Sequence, residues 1–245
     1  MNEKTIQSNA FRHQMLNEDV IDYLDKKEMT LGKITGLYLL ENYFEHQAFS
    51  GHYSKDAFTK MEEKWKKRKE WKTYIKYCNA IWEDLRYFPI PSSTTDHSLS
   101  VSFLESFMQK RTYGGSRGHE GTDIMATRNE PGLYPVVSMT NGRVLSKGWL
   151  EKGGYRLLIQ APKGACFYYA HLDSYAKLEI GDEIQAGDVI GFMGDTGYGA
   201  EGTRGKFPVH LHVGCYIYPE GNEVSINPYW LLKYLEKHKL KCAYS

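Results

Sequence analysis

Five histidines and carboxylates stand at spacings that could do chemistry. His119 and Asp123 lie four residues apart in Arg117-Gly118-His119-Glu120-Gly121-Thr122-Asp123. On an extended chain an even separation points both side chains to one face, and a helical step of four would do the same; the surrounding glycines favour the extended form. His210 and His212 alternate in Val209-His210-Leu211-His212-Val213. The β-type flanks predict a strand on which the two imidazoles share a face while Leu211 packs behind. His171 closes the run Tyr168-Tyr169-Ala170-His171. Imidazole nitrogens and a carboxylate oxygen are good ligands for zinc, and a catalytic zinc site supplies three protein ligands and leaves one position open. Two histidines and one aspartate match that count, and the remaining histidines would face the same centre.

The elements that must position these residues fall into two halves. From about Asn17 to Phe88 the apolar period is helical, interrupted by glycines at 32, 36 and 51, and clearest from Ala57 through Tyr87. Trp71, Ile75, Cys78, Trp82 and Leu85 fall on one helical face, which predicts its burial. The lysines between them, interrupted by Glu62, Glu63 and Glu70, read as a solvated face rather than a contact for an anionic polymer. Phe88-Pro89-Ile90-Pro91 ends the helical pattern, and a boundary follows that divides the chain into a helical region, 1–95, and a β-rich region, 96–245.

In the second half, β runs are predicted at Tyr134–Met139, Arg143–Leu145, Tyr155–Gln160, Ala165–His171, Val189–Met193 and Val209–Tyr218. Asn141-Gly142 and Pro162-Lys163-Gly164 read as hairpin turns, so the strands should pair antiparallel. Asn227-Pro228 announces a closing helix through Tyr229 to Lys239. The fold class is therefore α+β.

Taken together and in this order, the motifs resemble the lysostaphin and LytM type of zinc endopeptidase, whose signature is His-x-x-x-Asp, a histidine closing a strand, then His-x-His. The resemblance covers roughly residues 113–227 and includes the spaced glycines of Gly181-Asp182-Glu183-Ile184-Gln185-Ala186-Gly187-Asp188-Val189-Ile190-Gly191. It implies a predominantly antiparallel LytM-like sheet, the duplicated hybrid motif, with a groove over the metal. It also implies one Zn²⁺ held by His119, Asp123 and His212, with His171 and His210 acting on water and substrate. The implied substrate is bacterial cell-wall peptidoglycan, cut within stem peptides or cross-bridges. Without an HExxH glutamate, proton handling falls to His171 or His210. Glu120, on a strand, would point away from the His119 and Asp123 face.

Pairing His171 opposite His210 would also set Cys166 opposite Cys215, as a thiol pair or a cross-strand disulfide. Otherwise the four cysteines, none in a CxxC pair, read as buried free thiols. His13, His46, His52, His97 and His238 read as ordinary surface or packing residues.

Composition narrows the alternatives. With 31 Lys plus Arg against 30 Asp plus Glu, the formal charge of +1 provides no basic field for nucleic acid. No run is long and apolar enough to span a bilayer, and the polar N-terminus lacks the core of a signal peptide. A cytoplasmic chain, or one whose leader or anchor is absent here, both fit; a peptidoglycan substrate favours an extracytoplasmic place in the envelope or beyond. Aromatic content of 14% suits a groove that grips a peptide. The glycine rhythm at 181–188 is shared by lipoyl and biotinyl carriers, but no modifiable lysine stands at a hairpin tip. The rival reading is a non-enzymatic zinc-containing cell-wall binding or hydrolase-activator protein. Structural zinc, however, usually has four protein ligands, and the motif offers three.

Overall fold

The computed structural model describes residues 1–2, 4–26, 28–45, 53–112 and 115–245. His46, Gly51, His52 and Tyr113, each used in the sequence reading, lie outside them. The helices are α1 (Asn9–His13), α2 (Glu18–Leu24), α3 (Leu31–Glu41), α4 (Lys55–Trp65), α5 (Trp71–Trp82) and α6 (Tyr229–Leu235). The strands are β1 (Ser92–Ser93), β2 (Val101–Phe103), β3 (Lys110–Arg111), β4 (Arg117–Gly118), β5 (Thr122–Ala126), β6 (Pro135–Val137) and β7 (Gly142–Leu150). They continue with β8 (Gly154–Gln160), β9 (Cys166–Tyr175), β10 (Glu183–Ile184), β11 (Val189–Met193), β12 (His210–Ile217), β13 (Val224–Ile226) and β14 (Lys241–Cys242).

Side-chain oxygens open three of the helices. Ser8 accepts the Phe11 N–H, Asn17 the Val20 N–H and Ser54 the Ala57 N–H, satisfying donors that the first turn leaves unpaired. Two helical expectations need correction. Gly32 and Gly36 do not interrupt the periodicity; they lie inside α3, where it meets α5. A Cβ on Gly32 would stand 2.5 Å from Asn79 Cα, and one on Gly36 2.9 Å from Cys78 Sγ, so glycine is what lets the backbones approach. Nor is the stretch from 57 to 87 one helix. It breaks between Trp65 and Trp71, where the exposed Lys66, Lys67, Arg68 and Lys69 crowd like charges, and both pieces then pack on α3. The break also changes the buried face: Trp71, Tyr74, Cys78, Ile81, Trp82 and Leu85 are buried, whereas Ile75 is only partly so.

Among the described residues, the main sheet has ten strands, seven of them in the order β10-β7-β8-β9-β12-β5-β2. Every pairing in it is antiparallel. The predicted turn at 162–164 joins paired strands β8 and β9. Asn141-Gly142 does not make a hairpin: β6 pairs with β11, while β7 pairs with β8 and β10, so this turn carries the chain from one pairing partner to another. Two strands run further than predicted, β7 to Leu150 and β9 to Tyr175. The closing helix is shorter, ending at Leu235 before a turn of 3-10 helix.

The cysteine register is off by one. Cys215 stands opposite Phe167 and Cys166 opposite Tyr216, so the two thiols point to opposite faces of the sheet, and all four cysteines are free.

The helices and the sheet share a single apolar core, which includes Phe11, Trp82, Phe88, Phe167, Tyr169 and Leu231. Inside it Trp82 Nε1 donates to Gln14 Oε1 at 2.9 Å, and Gln14 Nε2 donates to the Phe11 carbonyl. Both side chains are fully buried. Trp82→Phe would leave the Gln14 carbonyl without a donor, at a cost of about 2 kcal/mol. Urea unfolding followed by far-UV circular dichroism should show that loss, whereas an unchanged midpoint would mean the bond carries no net stability.

Candidate active site

The β5–β12 ladder sets Asp123 directly opposite His212 and His210 opposite Met125. His119 reaches the pair by a different route from the one its spacing suggested. Residues 119–121 leave β4 and turn before β5 begins, so His119 and Asp123 converge across a turn rather than along one strand. Gly121 permits this. A Cβ there would lie 2.4 Å from His212 Cε1 and 2.5 Å from the Val213 carbonyl oxygen.

Three ligand atoms meet in a small triangle. His119 Nε2 is 2.9 Å from His212 Nδ1 and 3.1 Å from Asp123 Oδ1, and His212 Nδ1 is 3.0 Å from the same oxygen. Donors about 2.0–2.1 Å from one tetrahedral ion stand roughly 3.3 Å apart, so the triangle is close to the size zinc requires. His119 Nδ1 lies 3.2 Å from the Ser106 carbonyl oxygen. Arg111 Nη2 stands 3.1 Å from the same nitrogen, and it is the tautomer with its proton on Nδ1 that would present a bare Nε2 to a metal ion. Together His119, Asp123 and His212 form a group that can hold a metal ion. Burial alone would raise the Asp123 pKa, but hydrogen bonds from His119 and His212 outweigh it and hold the carboxyl well below its usual range, so it is an anion at any working pH. Arg111 Nη2 donates to Asp123 Oδ2 at 2.6 Å, leaving Oδ1 for the triangle.

His171 and His210 flank this group, their rings 4.7 Å apart. Each is anchored at Nδ1: His210 on the Pro208 carbonyl at 2.8 Å and His171 on the Thr196 carbonyl at 2.7 Å. A carbonyl accepts only from a protonated nitrogen, so Nε2 of each ring is the basic atom. Burial is the largest effect lowering both rings' pKa; for His171 the neighbouring His210 and His212 add to it, and for His210 the nearby Asp123 opposes it. Both rings are therefore neutral near pH 7.

His171 sits in a β-bulge. The pairings Leu157 with Tyr169 and Tyr155 with Leu172 leave Ala170 and His171 opposite the single residue Arg156. His171 takes φ 62°, in the left-handed region. Thr196 holds the bulge in place: its Oγ1 donates to the Leu172 carbonyl and accepts from the Tyr155 N–H.

Other residues that the sequence reading did not single out complete the groove, a space of about 600 Å³. Phe207 packs edge-on against His171 at 4.6 Å and His210 at 5.0 Å. Tyr168 stands edge-on to His212 at 5.9 Å. Tyr198, on the 194–205 loop, packs on Phe207, and the extended β7 reaches this loop through Trp149 Nε1, which donates to the Gly199 carbonyl at 3.2 Å. No spacing in the sequence marks these residues, because each is brought in by a different loop or strand. Glu120 turns away, accepting from Ser225 Oγ at 2.8 Å and pairing with Arg12 at 3.2 Å.

Histidines and an aspartate on adjacent antiparallel strands, at the floor of a groove with two buried neutral imidazoles beside them, are the arrangement of a metallopeptidase. The comparisons agree in class. The model of the LytM N-terminal domain matches residues 1–84 and that of peptidase family M23 residues 117–228. A solved structure from Ruminococcus gnavus, of a protein assigned as a glycyl-glycine endopeptidase LytM, is 51% identical with a TM-score of 0.92, over 99% of this chain and 96% of that one. The chain belongs to peptidase family M23, with a LytM N-terminal domain ahead of the peptidase domain. It is also similar to the L-Ala–D-Glu endopeptidase of Bacillus subtilis, 40% identical over 62% of this chain and 44% of that protein. Lysostaphin of Staphylococcus simulans is 28% identical over 56% of this chain. The chain thus spans less than half the length of these two curated relatives, 44% and 27%.

Gly121→Ala should destroy the metal-binding group without unfolding the sheet. Protein incubated with zinc and then dialysed should retain at least about 10-fold less metal than the parent chain while the circular dichroism spectrum is kept; equal retention would show that His212 can move aside.

Proposed function

We propose that this chain is a zinc-dependent endopeptidase that hydrolyses peptide bonds of bacterial cell-wall peptidoglycan. The observation that carries the reading is the three-atom triangle of His119, Asp123 and His212, with the basic Nε2 atoms of His171 and His210 beside it. His119, Asp123 and His212 would hold one Zn²⁺ per chain. The ion supplies polarisation of the scissile carbonyl and a nucleophile usable near neutral pH.

The remaining steps belong to the chain. A neutral imidazole, His171 or His210, takes a proton at Nε2 as the nucleophile attacks and returns it to the leaving amine. The carbonyl anchors at Nδ1 keep each ring in the tautomer that can do this. Burial under Phe207 excludes bulk water, so the imidazole dipoles act on developing charge in a medium of low dielectric. Residues 96–245 would carry the catalysis, with the helical region through residue 95 bracing it. Peptidoglycan lies outside the cytoplasmic membrane, so an extracytoplasmic location in the envelope or beyond follows from the substrate. Among the described residues no helix is long and apolar enough to cross a membrane.

Isolated peptidoglycan from several wall types, incubated with the zinc-loaded protein, should yield new amino termini detectable by mass spectrometry. Chelation should abolish them and added zinc restore them. If zinc-loaded protein freed no termini from any wall, a binding role would replace this one.

The two histidines of the His-x-His motif should separate. His212→Ala is expected to lose zinc, whereas His210→Ala keeps zinc but loses about 10²- to 10⁴-fold in turnover. Loss of zinc from both variants, measured by atomic absorption, would overturn the division of roles.

A further inference from the structure

Peptidoglycan offers an endopeptidase two chemically distinct targets. Glycine cross-bridges are neutral along their length, whereas stem peptides carry carboxylates. The groove contains charged groups that bear on the difference, and most already have partners. Arg111 is paired with Asp123. Glu120 is held by Arg12 and Ser225, and Glu223 accepts from the Tyr218 hydroxyl at 3.0 Å.

Arg156 differs. It lies on β8 and lines the same groove. Among the described residues no carboxylate lies within ion-pair distance of it, its Nε is buried without a hydrogen-bond partner, and one Nη donates to the neutral Ser146 hydroxyl. The strand order β8-β9-β12 puts it two strands from His212, about 10 Å at the usual spacing. Between them stands Ala170, opposite His212 in the ladder, whose methyl group leaves the path open. Tyr168 lines the groove beside it; burial raises its hydroxyl to about 12, against a lowering by the Arg156 charge. A guanidinium partly withdrawn from water without a counter-ion is unfavourable until an anion meets it, and a planar carboxylate is the anion its fork fits.

We propose that Arg156 binds a free carboxylate on the substrate residue that flanks the scissile bond, selecting acidic stem peptides over neutral glycine bridges. This rests on the peptidase reading above. The α-carboxylate of a γ-linked D-glutamate is such a group, and it adjoins the bond between alanine and D-glutamate in a stem peptide. Arg156 acts in binding and takes no part in proton transfer.

The test compares three substrates of the zinc-loaded protein: L-Ala-γ-D-Glu-L-Lys with its α-carboxylate free, the same peptide with that group as carboxamide, and pentaglycine. The free acid should be cleaved with a kcat/KM about 10- to 100-fold above the amide. Arg156→Gln should erase that preference through KM, bringing the free acid down to the level of the amide, and Arg156→Lys should restore part of it. In parallel, γ-D-Glu-L-Lys, which lacks the scissile bond, and its α-amide are titrated into the same proteins by calorimetry. The acid should bind more tightly than the amide in the parent protein and equally in Arg156→Gln. If nothing is cleaved yet this binding difference holds, the peptidase reading fails and the carboxylate subsite stands. Equal handling of acid and amide by the parent protein, an equal loss on both in Arg156→Gln, or a preference for pentaglycine would overturn the subsite.

Discussion

The register of the β5–β12 ladder is the constraint on which the site depends. Asp123 faces His212 across it, and a slip of one residue would turn one of them to the other side of the sheet. What holds the register is the opposite face. Leu211 stands against Ile124, both fully buried, and Val213 is buried one step further along the same strand. The apolar residues next to Asp123 and His212 thus fix where these two side chains stand. Hydrophobic burial is non-directional, but on a strand of period two it becomes a precise positioning device for the polar face.

That same alternation would exclude His171. Continuing the β9–β12 pairing past Ala170 and His212 would set His171 against Leu211, on the core side. The extra residue of the bulge and a left-handed backbone at His171 reverse it toward the groove. Such a conformation is unfavourable for a side-chain-bearing residue and persists only where the surroundings over-determine it. They do so here through Thr196, which ties β8 to β9 and accepts from the imidazole, and through Gly154, where a Cβ would stand 2.2 Å from the Thr196 carbonyl oxygen. The feature costs backbone energy and returns a second basic nitrogen beside the metal-binding group.

These two devices explain what could be read from the sequence. Period-two runs, a His-x-His on one of them, and the order of the motifs are local patterns, and they located the strands and brought the five chemical residues to attention. The bulge is not a local pattern: nothing in Tyr169-Ala170-His171 announces it, and it is why pairing His171 against His210 misplaced Cys166 and Cys215 by one residue. Gly32 and Gly36 were misread for a related reason. A glycine that breaks a helix and one that admits a neighbouring helix look alike until Asn79 and Cys78 are known to lie across from them. Arg111, Thr196, Phe207 and Arg156 carry no spacing signal because their meaning comes from contacts made far along the chain.

The helical region, whose sequence suggests no chemistry, touches the site at one well-defined place. Arg12, at the end of α1, donates through Nε to the Ser225 carbonyl at 3.0 Å, and its guanidinium also reaches Glu120. Next to it the Asn227 N–H donates to the Arg12 carbonyl, the Asn227 side chain bridges the His13 carbonyl and Glu105, and the His13 ring packs edge-on against Phe107. All of these contacts fall on the segment 105–120, which contains His119, and on 225–227, at the end of β13. Glu120 adjoins His119, and its carboxylate accepts from both Ser225 and Arg12. With Ser225 and Arg12 holding it outward, the turn at 119–121 presents one imidazole inward and one carboxylate outward. Through Arg12 the helical region thus holds the residue next to His119 as well as the end of β13.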